Sequence, residues 1–312
     1  MNAHIKDSDK GHWVNRSPQS IRPYLQLSRL DRPVGYWLLA LPGWIGLAFA
    51  SLSHGFATSD LKWAVLILIG AIAMRGAGCT YNDIVDQDLD RQVERTALRP
   101  LPAGTVTTKQ AWIWLLAQCA IGLVVLVCLP RLAQIISLCS IPLVAAYPFM
   151  KRITWWPQLW LGLTFNWAVL VAYTAKTETV SLPLLILYTG LIFWTIGYDT
   201  IYACQDIEDD MKIGVKSTAR RFGKRVKLGV AISYLMFFAL VILIYVKSYV
   251  INDAILLSLF TAPLATHLVW QVVTFKPQNS SNSLNRFKSN LWAGCLLIFA
   301  FSGPMLLLTV FH

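Results

Sequence analysis

The chain has 312 residues, of which 56% are hydrophobic and only 14% are charged, and its mean hydropathy is +0.53. Because a soluble domain usually carries about 25% charged residues, this composition indicates an integral membrane protein rather than a soluble one. The net charge of +11 would suit a nucleic-acid-binding protein. However, nearly all the basic residues lie in the N-terminal tail and between apolar segments, which is a membrane-topology pattern and argues against that class.

Nine apolar segments of about 20 residues follow a tail of residues 1–33, and each is long enough to cross the ~30 Å hydrocarbon layer of a bilayer. They are 34–53, 61–82, 110–129, 132–149, 157–175, 183–203, 228–246, 254–275 and 291–311. None has the alternating pattern of a barrel strand. The sequence therefore predicts an all-α polytopic membrane protein of about nine transmembrane helices, with residues 34–312 as a single transmembrane domain.

The distribution of charge predicts the orientation of these helices. The tail and every second connection hold 22 of the 27 Lys and Arg residues, and the other connections hold four. By the positive-inside rule, the N-terminus and the charged connections are expected on the cytoplasmic side. The tail has no apolar core of a signal sequence, and Asp7 and Asp9 argue against a mitochondrial transit peptide. We therefore expect a multi-pass protein of a bacterial inner membrane.

An acidic motif lies at the cytoplasmic end of the second segment. Asn82, Asp86 and Asp90 are spaced i, i+4, i+8, which places them on one face of a helix. Asp83 lies beside them. Basic residues follow at positions Arg91, Arg95 and Arg99.

A second acidic motif ends the sixth segment, where Asp199, Asp206 and Asp210 are spaced i, i+7, i+11 on one helical face. Asp206 and Asp210 each follow their counterpart in the first motif, Asp86 and Asp90, by 120 residues. This matching indicates an old internal repeat. Basic residues follow the second motif at Lys212 and Lys216.

These residue types together predict a magnesium–diphosphate site. Unpaired carboxylates at the ends of apolar helices would repel one another and resist ionisation. Magnesium relieves this because it prefers a few carboxylates together with phosphate oxygens, and neighbouring basic residues bind phosphate. The alternative, two ordinary polar loop helices, does not explain the matched spacing. No calcium-binding DxDxDG loop, GxxxxGK[ST] phosphate loop or Cys/His cluster is present.

Both motifs resemble those of the UbiA prenyltransferase superfamily. The first runs from Asn82 to Gly104 as N-D-x-x-D-x-x-x-D-R-x-x-E-R-T-x-x-R-P-L-P-x-G, and the second from Tyr198 to Thr218 as Y-D-T-x-Y-A-x-x-D-x-E-D-D-x-K-I-G-x-K-S-T. A third stretch, Y-P-F-M-K-R at 147–152 followed by P-Q at 157–158, resembles a loop of the superfamily's 4-hydroxybenzoate branch. The resemblance covers nearly the whole chain, and nine helices is the superfamily's architecture.

The resemblance implies an enzyme that transfers a polyprenyl group from polyprenyl diphosphate to 4-hydroxybenzoate, ortho to its hydroxyl, and releases diphosphate in an early step of ubiquinone biosynthesis. It implies Mg²⁺ as cofactor, with the ligands Asn82, Asp86, Asp90, Asp206 and Asp210. The implied catalytic residues are Asp86, Asp90, Asp206, Asp210 and Arg152, the last for the benzoate carboxylate. The other implied substrate-binding residues are Arg75, Asn82, Asp83, Arg95, Lys151, Tyr198, Asp199 and Lys216, of which Asp83 and Asp199 support the metal ligands.

Three other functions compete with this one. Another aromatic acceptor, such as haem, a naphthoate or a chlorin, would require the same aspartates. An ion-coupled transporter would also contain repeats and intramembrane charges, but here the acids cluster at helix ends. A membrane phosphotransferase would show a DGxxAR stretch, which is absent. The expected partners are the two substrates and the lipid bilayer, with no nucleic acid; prenyl length, the acceptor of the ring proton and protein partners stay open.

Overall fold

The computed structural model describes residues 11–92, 96–205, 207–212, 214–248, 255 and 258–311, without the side chains of 208–210 and 306–311. Across these ranges the secondary structure is helical and contains no strand. The all-α prediction is therefore confirmed for the described part of the chain.

We number the α-helices of these ranges in chain order. They are α1 Trp13–Arg16, α2 Arg22–Leu27, α3 Val34–His54, α4 Ser59–Val85, α5 Gln87–Asp90, α6 Thr108–Val127, α7 Arg131–Cys139, α8 Ile141–Ile153, α9 Pro157–Phe165, α10 Trp167–Thr177, α11 Leu182–Ala203, α12 Ile207–Lys212, α13 Thr218–Phe222, α14 Val226–Ser248, α15 Ala262–Thr274, α16 Ser280–Lys288 and α17 Asn290–Phe311. Short 3₁₀ helices lie at Gly223–Arg225 and Leu259–Thr261.

Six helical stretches among the described residues are long and apolar enough to cross a membrane. They are Val34–His54, Ser59–Val85, Thr108–Val127, Arg131–Ile153, Leu182–Ala203 and Thr218–Lys247. This supports a polytopic membrane protein. Of the remaining predicted segments, 157–175 is divided between α9 and α10, 254–275 lies partly outside the described residues, and 291–311 corresponds to α17.

The division of segment 157–175 falls at Asn166. The side-chain Nδ2 of Asn166 donates to the carbonyl oxygens of Gly162 (2.8 Å) and Leu191 (3.1 Å) and to Oγ1 of Thr195 (2.8 Å). An asparagine side chain that bonds to nearby backbone competes with the helix ladder. Segment 157–175 is therefore formed by two helices, α9 and α10, that are separated by Asn166.

Contacts between residues divide the chain into two compact units. Unit 1 comprises Met1–Leu39 and Leu68–Cys128, and unit 2 comprises Ala40–Ile67 and Leu129–His312. In unit 1, buried Leu27, Leu101, Val106 and Ala111 form a small core against which Trp114 packs. The indole Nε1 of Trp114 also donates to the hydroxyl of Ser28 (2.8 Å).

In unit 2, α11 packs against α9, α14 and α16. Its inward residues, including Leu187, Leu191 and Trp194, are buried. The indole Nε1 of Trp194 donates to Oδ1 of Asn290 at the start of α17 (2.9 Å). Because α11 carries Tyr198 and Asp199, this packing fixes the start of the second motif within unit 2.

A buried lysine joins the connection between α3 and α4 to the end of α10. Nζ of Lys176 donates to Oγ of Ser51 (2.7 Å), to the carbonyl oxygen of Gly55 (2.7 Å) and to Oδ2 of Asp60 (2.5 Å). The side chain of Lys176 is only 6% exposed. All its donors are therefore directed at fixed acceptors within unit 2.

We expect the Lys176→Met substitution to lower the free energy of unfolding by about 3–5 kcal/mol, because it leaves the carboxylate of Asp60 buried without its cation. Unfolding of the purified protein in detergent measures the change. Lys247→Met is the matched control, because Lys247 is exposed at the end of α14 and its loss should cost less than about 0.5 kcal/mol. Equal effects of the two substitutions would show that the Lys176 contacts do not stabilise the fold.

Candidate active site

The first aspartate motif lies in unit 1, where α4 ends and α5 begins. The backbone N–H of Asp86 donates to the carbonyl oxygen of Asn82 (2.9 Å), and the N–H of Asp90 donates to that of Asp86 (2.8 Å). Helical hydrogen bonding thus continues through the junction and places the three residues on successive turns. Asp86 is completely buried and Asp90 nearly so, whereas Asn82 is half-buried.

Two arginines hold the carboxylates of this motif. Oδ1 of Asp83 accepts hydrogen bonds from Nη2 of Arg29 (2.6 Å) and Nη1 of Arg99 (3.3 Å). The same Nη1 of Arg99 donates to Oδ2 of Asp90 (2.7 Å). The sequence suggested Arg99 as an anion binder, but in the structure Arg99 bridges Asp83 and Asp90. Asp83 is thus held by these two arginines, and its support of the metal ligands stays a prediction.

Arg29 adopts an unusual backbone conformation. Its φ angle is +55°, in the left-handed region that costs a non-glycine residue about 1–3 kcal/mol. Its Nη1 donates to the carbonyl oxygen of Gln26 (3.1 Å). Burial opposes the charge of Arg29, but the attraction of Asp83 and Asp31 outweighs burial and raises its pKa above the usual value. The buried cation of Arg29 is therefore part of the packing around the first motif.

The donor chemistry of the first motif fits a magnesium ion. Asn82, Asp83, Asp86 and Asp90 offer the hard oxygen ligands that Mg²⁺ prefers. Oδ2 of Asp83 is buried and has no hydrogen-bond partner in the described part of the chain. Within the described residues, however, no three His, Cys, Asp or Glu side chains form a metal-ligand group. The donor types therefore support a metal site without fixing its geometry.

Arg75 lies on the same face of α4 as Asn82, seven residues or about two turns before it. Its guanidinium group packs against the backbone of Gly35, where a Cβ atom would come within 2.8 Å of Nε. A larger residue at position 35 would therefore displace the guanidinium group of Arg75. The predicted phosphate binder Arg95 lies outside the described residues.

The second motif begins on α11 in unit 2. Tyr198 is buried, its hydroxyl accepts a hydrogen bond from Oγ1 of Thr195 (3.2 Å), and its ring lies 5.3 Å from that of Trp194. Tyr198 therefore belongs to the packing of the helices. Asp199 is half-buried one residue further on. Asp206 and the side chain of Asp210 lie outside the described residues.

Unit 2 brings two sequence-predicted segments together. The backbone N–H of Lys216 donates to the carbonyl oxygen of Lys151 (2.9 Å), and Nζ of Lys216 donates to that of Ile153 (3.1 Å). Nearby, the N–H of Thr218 donates to Oε1 of Gln158 (3.0 Å). The segment that contains Lys151 and exposed Arg152 is thus tied to the basic residues that follow the second motif.

The family model for UbiA prenyltransferases matches residues 39–303 of the chain. The chain belongs to the UbiA prenyltransferase family. Two relatives extend this match over nearly the full length. One is the mitochondrial 4-hydroxybenzoate polyprenyltransferase of Arabidopsis thaliana, 39% identical over 299 residues, 94% of this chain and 71% of the relative. The other is 4-hydroxybenzoate geranyltransferase 1 of Lithospermum erythrorhizon, 38% identical over 308 residues, 97% of this chain and 96% of the relative.

A solved structure has the same fold. The UbiA homolog from Archaeoglobus fulgidus bound to GPP and Mg²⁺ superposes with a TM-score of 0.69 at 20% identity, covering 90% of this chain and 99% of that one. This likeness supports a UbiA-type membrane fold.

The sequence interpretation missed Arg29 as part of the site of this UbiA-family chain. Arg29 was counted only as one of several basic residues of the tail. One signal in the sequence could have identified Arg29: Asp31 is the only acidic residue between positions 10 and 59. In the structure, Asp31 is completely buried. A lone acid beside arginines just before an apolar segment indicates a paired, buried charge.

Proposed function

We propose that this UbiA-family enzyme transfers a polyprenyl group from polyprenyl diphosphate to 4-hydroxybenzoate, ortho to the hydroxyl, and releases diphosphate. The observation that carries this proposal is identity of nearly 40%, over almost the entire chain, to relatives named for prenyl transfer to 4-hydroxybenzoate. We place the reaction in ubiquinone biosynthesis. The hydrogen bonds between the Lys151–Ile153 segment and Lys216 support 4-hydroxybenzoate as the acceptor, because they join the segment typical of this branch to the second motif.

Magnesium is the metal that we propose for this reaction. The proposed ligands of Mg²⁺ are Asn82, Asp86 and Asp90 in the first motif, and Asp206 and Asp210 in the second. When bound, the ion neutralises the charge that develops on the departing diphosphate and so lowers the barrier to cleavage of the allylic C–O bond. The chemistry of the donors supports this choice, as does the Archaeoglobus homolog bound to GPP and Mg²⁺.

The roles of the protein's own residues follow from charge and position. We assign the phosphate oxygens to Arg75, Arg95, Lys151 and Lys216, and the benzoate carboxylate to Arg152. Asp83 and Asp199 hold the motif residues in place, and Tyr198 supports Asp199 from within the helix packing. As the C–O bond breaks, its electron pair leaves with the diphosphate. The ring carbon ortho to the hydroxyl then bonds to the prenyl carbon, and the ring proton is lost.

Orientation and membrane are part of the proposal. We propose nine membrane spans, an N-terminus on the cytoplasmic side, and an active site on that same side. The 22-to-4 distribution of Lys and Arg supports this orientation. We propose a bacterial inner membrane, although the Arabidopsis relative is named mitochondrial. Fractionation of the source cells distinguishes the two membranes.

Membranes that contain the protein should transfer prenyl groups to radiolabelled 4-hydroxybenzoate when magnesium is present. The expected result is a lipid-soluble labelled product and an equal amount of released diphosphate, both lost when magnesium is chelated. Membranes without the protein are the control, and several lengths of prenyl diphosphate are supplied. Product from haem or a naphthoate but not from 4-hydroxybenzoate would overturn the acceptor, and transfer unaffected by chelation would overturn the metal.

A further inference from the structure

A surface groove of about 450 Å³ lies in unit 2, among residues that the aspartate motifs do not include. Its walls are formed by His267, Trp270, Asn285, Lys288, Ser289 and Trp292, from helices α15 to α17. Two hydrogen bonds join α15 to Ser289. Nε2 of His267 donates to the carbonyl oxygen of Ser289 (3.0 Å), and Nε2 of Gln271 donates to the hydroxyl of Ser289 (3.1 Å). The guanidinium carbon of Arg286 lies 3.7 Å from the centroid of the Trp270 ring, which holds that ring in place.

The groove offers hydrogen-bond donors and positive charge, and none of its lining residues is acidic. The ammonium group of Lys288, the side-chain amide of Asn285 and the indole N–H groups of Trp270 and Trp292 have no partner among the described residues. The sequence contains no Asp or Glu after Asp253, so the three helices of the groove carry no negative side chain. Such a groove is complementary to an anion.

The groove adjoins exposed apolar surface. Trp292 is 68% exposed, and Phe299, seven residues later on the same face of α17, is also exposed. On α15, Val269 and Val273 are exposed as well. In a membrane these side chains contact lipid tails, and tryptophans are characteristic of the membrane–water interface. The ligand that fits this combination is an amphiphile with an anionic head and apolar chains.

We propose that the groove binds an anionic phospholipid of the surrounding bilayer, with its phosphate on Lys288 and Asn285 and its acyl chains along the exposed face of α17. Basic pockets between transmembrane helices on the cytoplasmic side bind lipid headgroups in this way. The occupant is a bilayer lipid rather than a soluble anion, because the donor-lined groove opens onto apolar surface.

Lipid binding at the groove also reaches the second aspartate motif. Phe287, next to the groove residue Lys288 on α16, places its ring 4.5 Å from that of Tyr202 and 5.9 Å from that of Tyr198. Both tyrosines lie on α11, at the end that leads into the motif. A lipid that holds α16 therefore restrains this end of α11 and favours the active arrangement. This second step rests on the proposed function.

Thermal unfolding of the purified protein in detergent tests the binding. Phosphatidylglycerol should raise the unfolding temperature in a saturable manner, whereas zwitterionic phosphatidylcholine should not. The Lys288→Gln variant should need about fivefold more phosphatidylglycerol for half of the shift, as expected for the loss of one basic residue at a lipid headgroup. Lys276→Gln is the matched control, because Lys276 is an exposed lysine of the same connection outside the groove, and it should titrate like the wild type.

Three outcomes would overturn the proposal: equal shifts from the two lipids, an unchanged titration of Lys288→Gln, or the same shift from soluble glycerol phosphate at the same concentration. Since Lys288 is exposed, its substitution should not unfold the protein, and the comparison of lipids in the wild type stands without any variant. A transfer assay in vesicles then tests the second step. Phosphatidylglycerol should stimulate the wild type more than Lys288→Gln. Binding without stimulation would refute the link to α11, whereas no transfer in any lipid would refute only the proposed function.

Discussion

Replacing Asp86 by asparagine should lower prenyl transfer by at least about 100-fold while the protein still accumulates in the membrane. Asp86 is completely buried at the junction of α4 and α5, and asparagine preserves its shape but removes its charge. Loss of one anionic ligand weakens binding of the metal ion. The bound ion stabilises the charge on the departing diphosphate by several kcal/mol in the transition state. Initial rates with radiolabelled 4-hydroxybenzoate, normalised to the amount of folded protein, measure the effect.

Asp88→Asn is the matched control for Asp86→Asn. Asp88 lies two residues away, but its side chain is 91% exposed, and the ion pair that it forms with a described residue is a surface pair with Arg91 (3.2 Å). Its substitution should leave activity within about twofold, because exposed ion pairs contribute little. Full activity of Asp86→Asn would remove the first motif from the catalytic site. Equal losses in the two variants would show a general effect of charge at this membrane surface.

The features that the sequence predicted are those determined by local spacing. Apolar segments of bilayer length identify membrane helices because hydropathy is a property of each segment alone. Likewise, the i, i+4 spacing of Asn82, Asp86 and Asp90 predicts neighbouring turns because helix geometry is fixed. The structure shows the corresponding backbone hydrogen bonds.

The features that the sequence did not predict depend on contacts between distant residues. The interruption at Asn166 involves Leu191 and Thr195, which are 25 and 29 residues away. Lys216 reaches the carbonyl oxygen of Ile153 across 63 residues. No periodicity or motif specifies such partners, because they depend on how the helices pack within the unit.

The pairing of Arg29 with Asp83 is the most consequential of these distant contacts, since it joins residues 54 positions apart. We expect Arg29→Gln to lower the free energy of unfolding by about 3–5 kcal/mol, because removal of one partner leaves a buried charge uncompensated. Arg99, 3.3 Å from the same oxygen of Asp83, moderates the loss. Unfolding in detergent measures it. Arg91→Gln is the control, because the Arg91–Asp88 pair is exposed and its loss should cost less than about 1 kcal/mol.

The double variant Arg29→Gln/Asp83→Asn separates a charge effect from simple loss of packing. If the cost of Arg29→Gln arises from the buried carboxylate of Asp83, neutralising that carboxylate should recover a large part of the lost stability. If the cost arises only from the packing of the arginine side chain, the second substitution should lower the free energy of unfolding further. Prenyl transfer by the double variant is then informative about Asp83 itself. Activity regained with stability would show that Asp83 acts by binding the arginines, and activity still lost would show that its carboxylate is needed for the reaction.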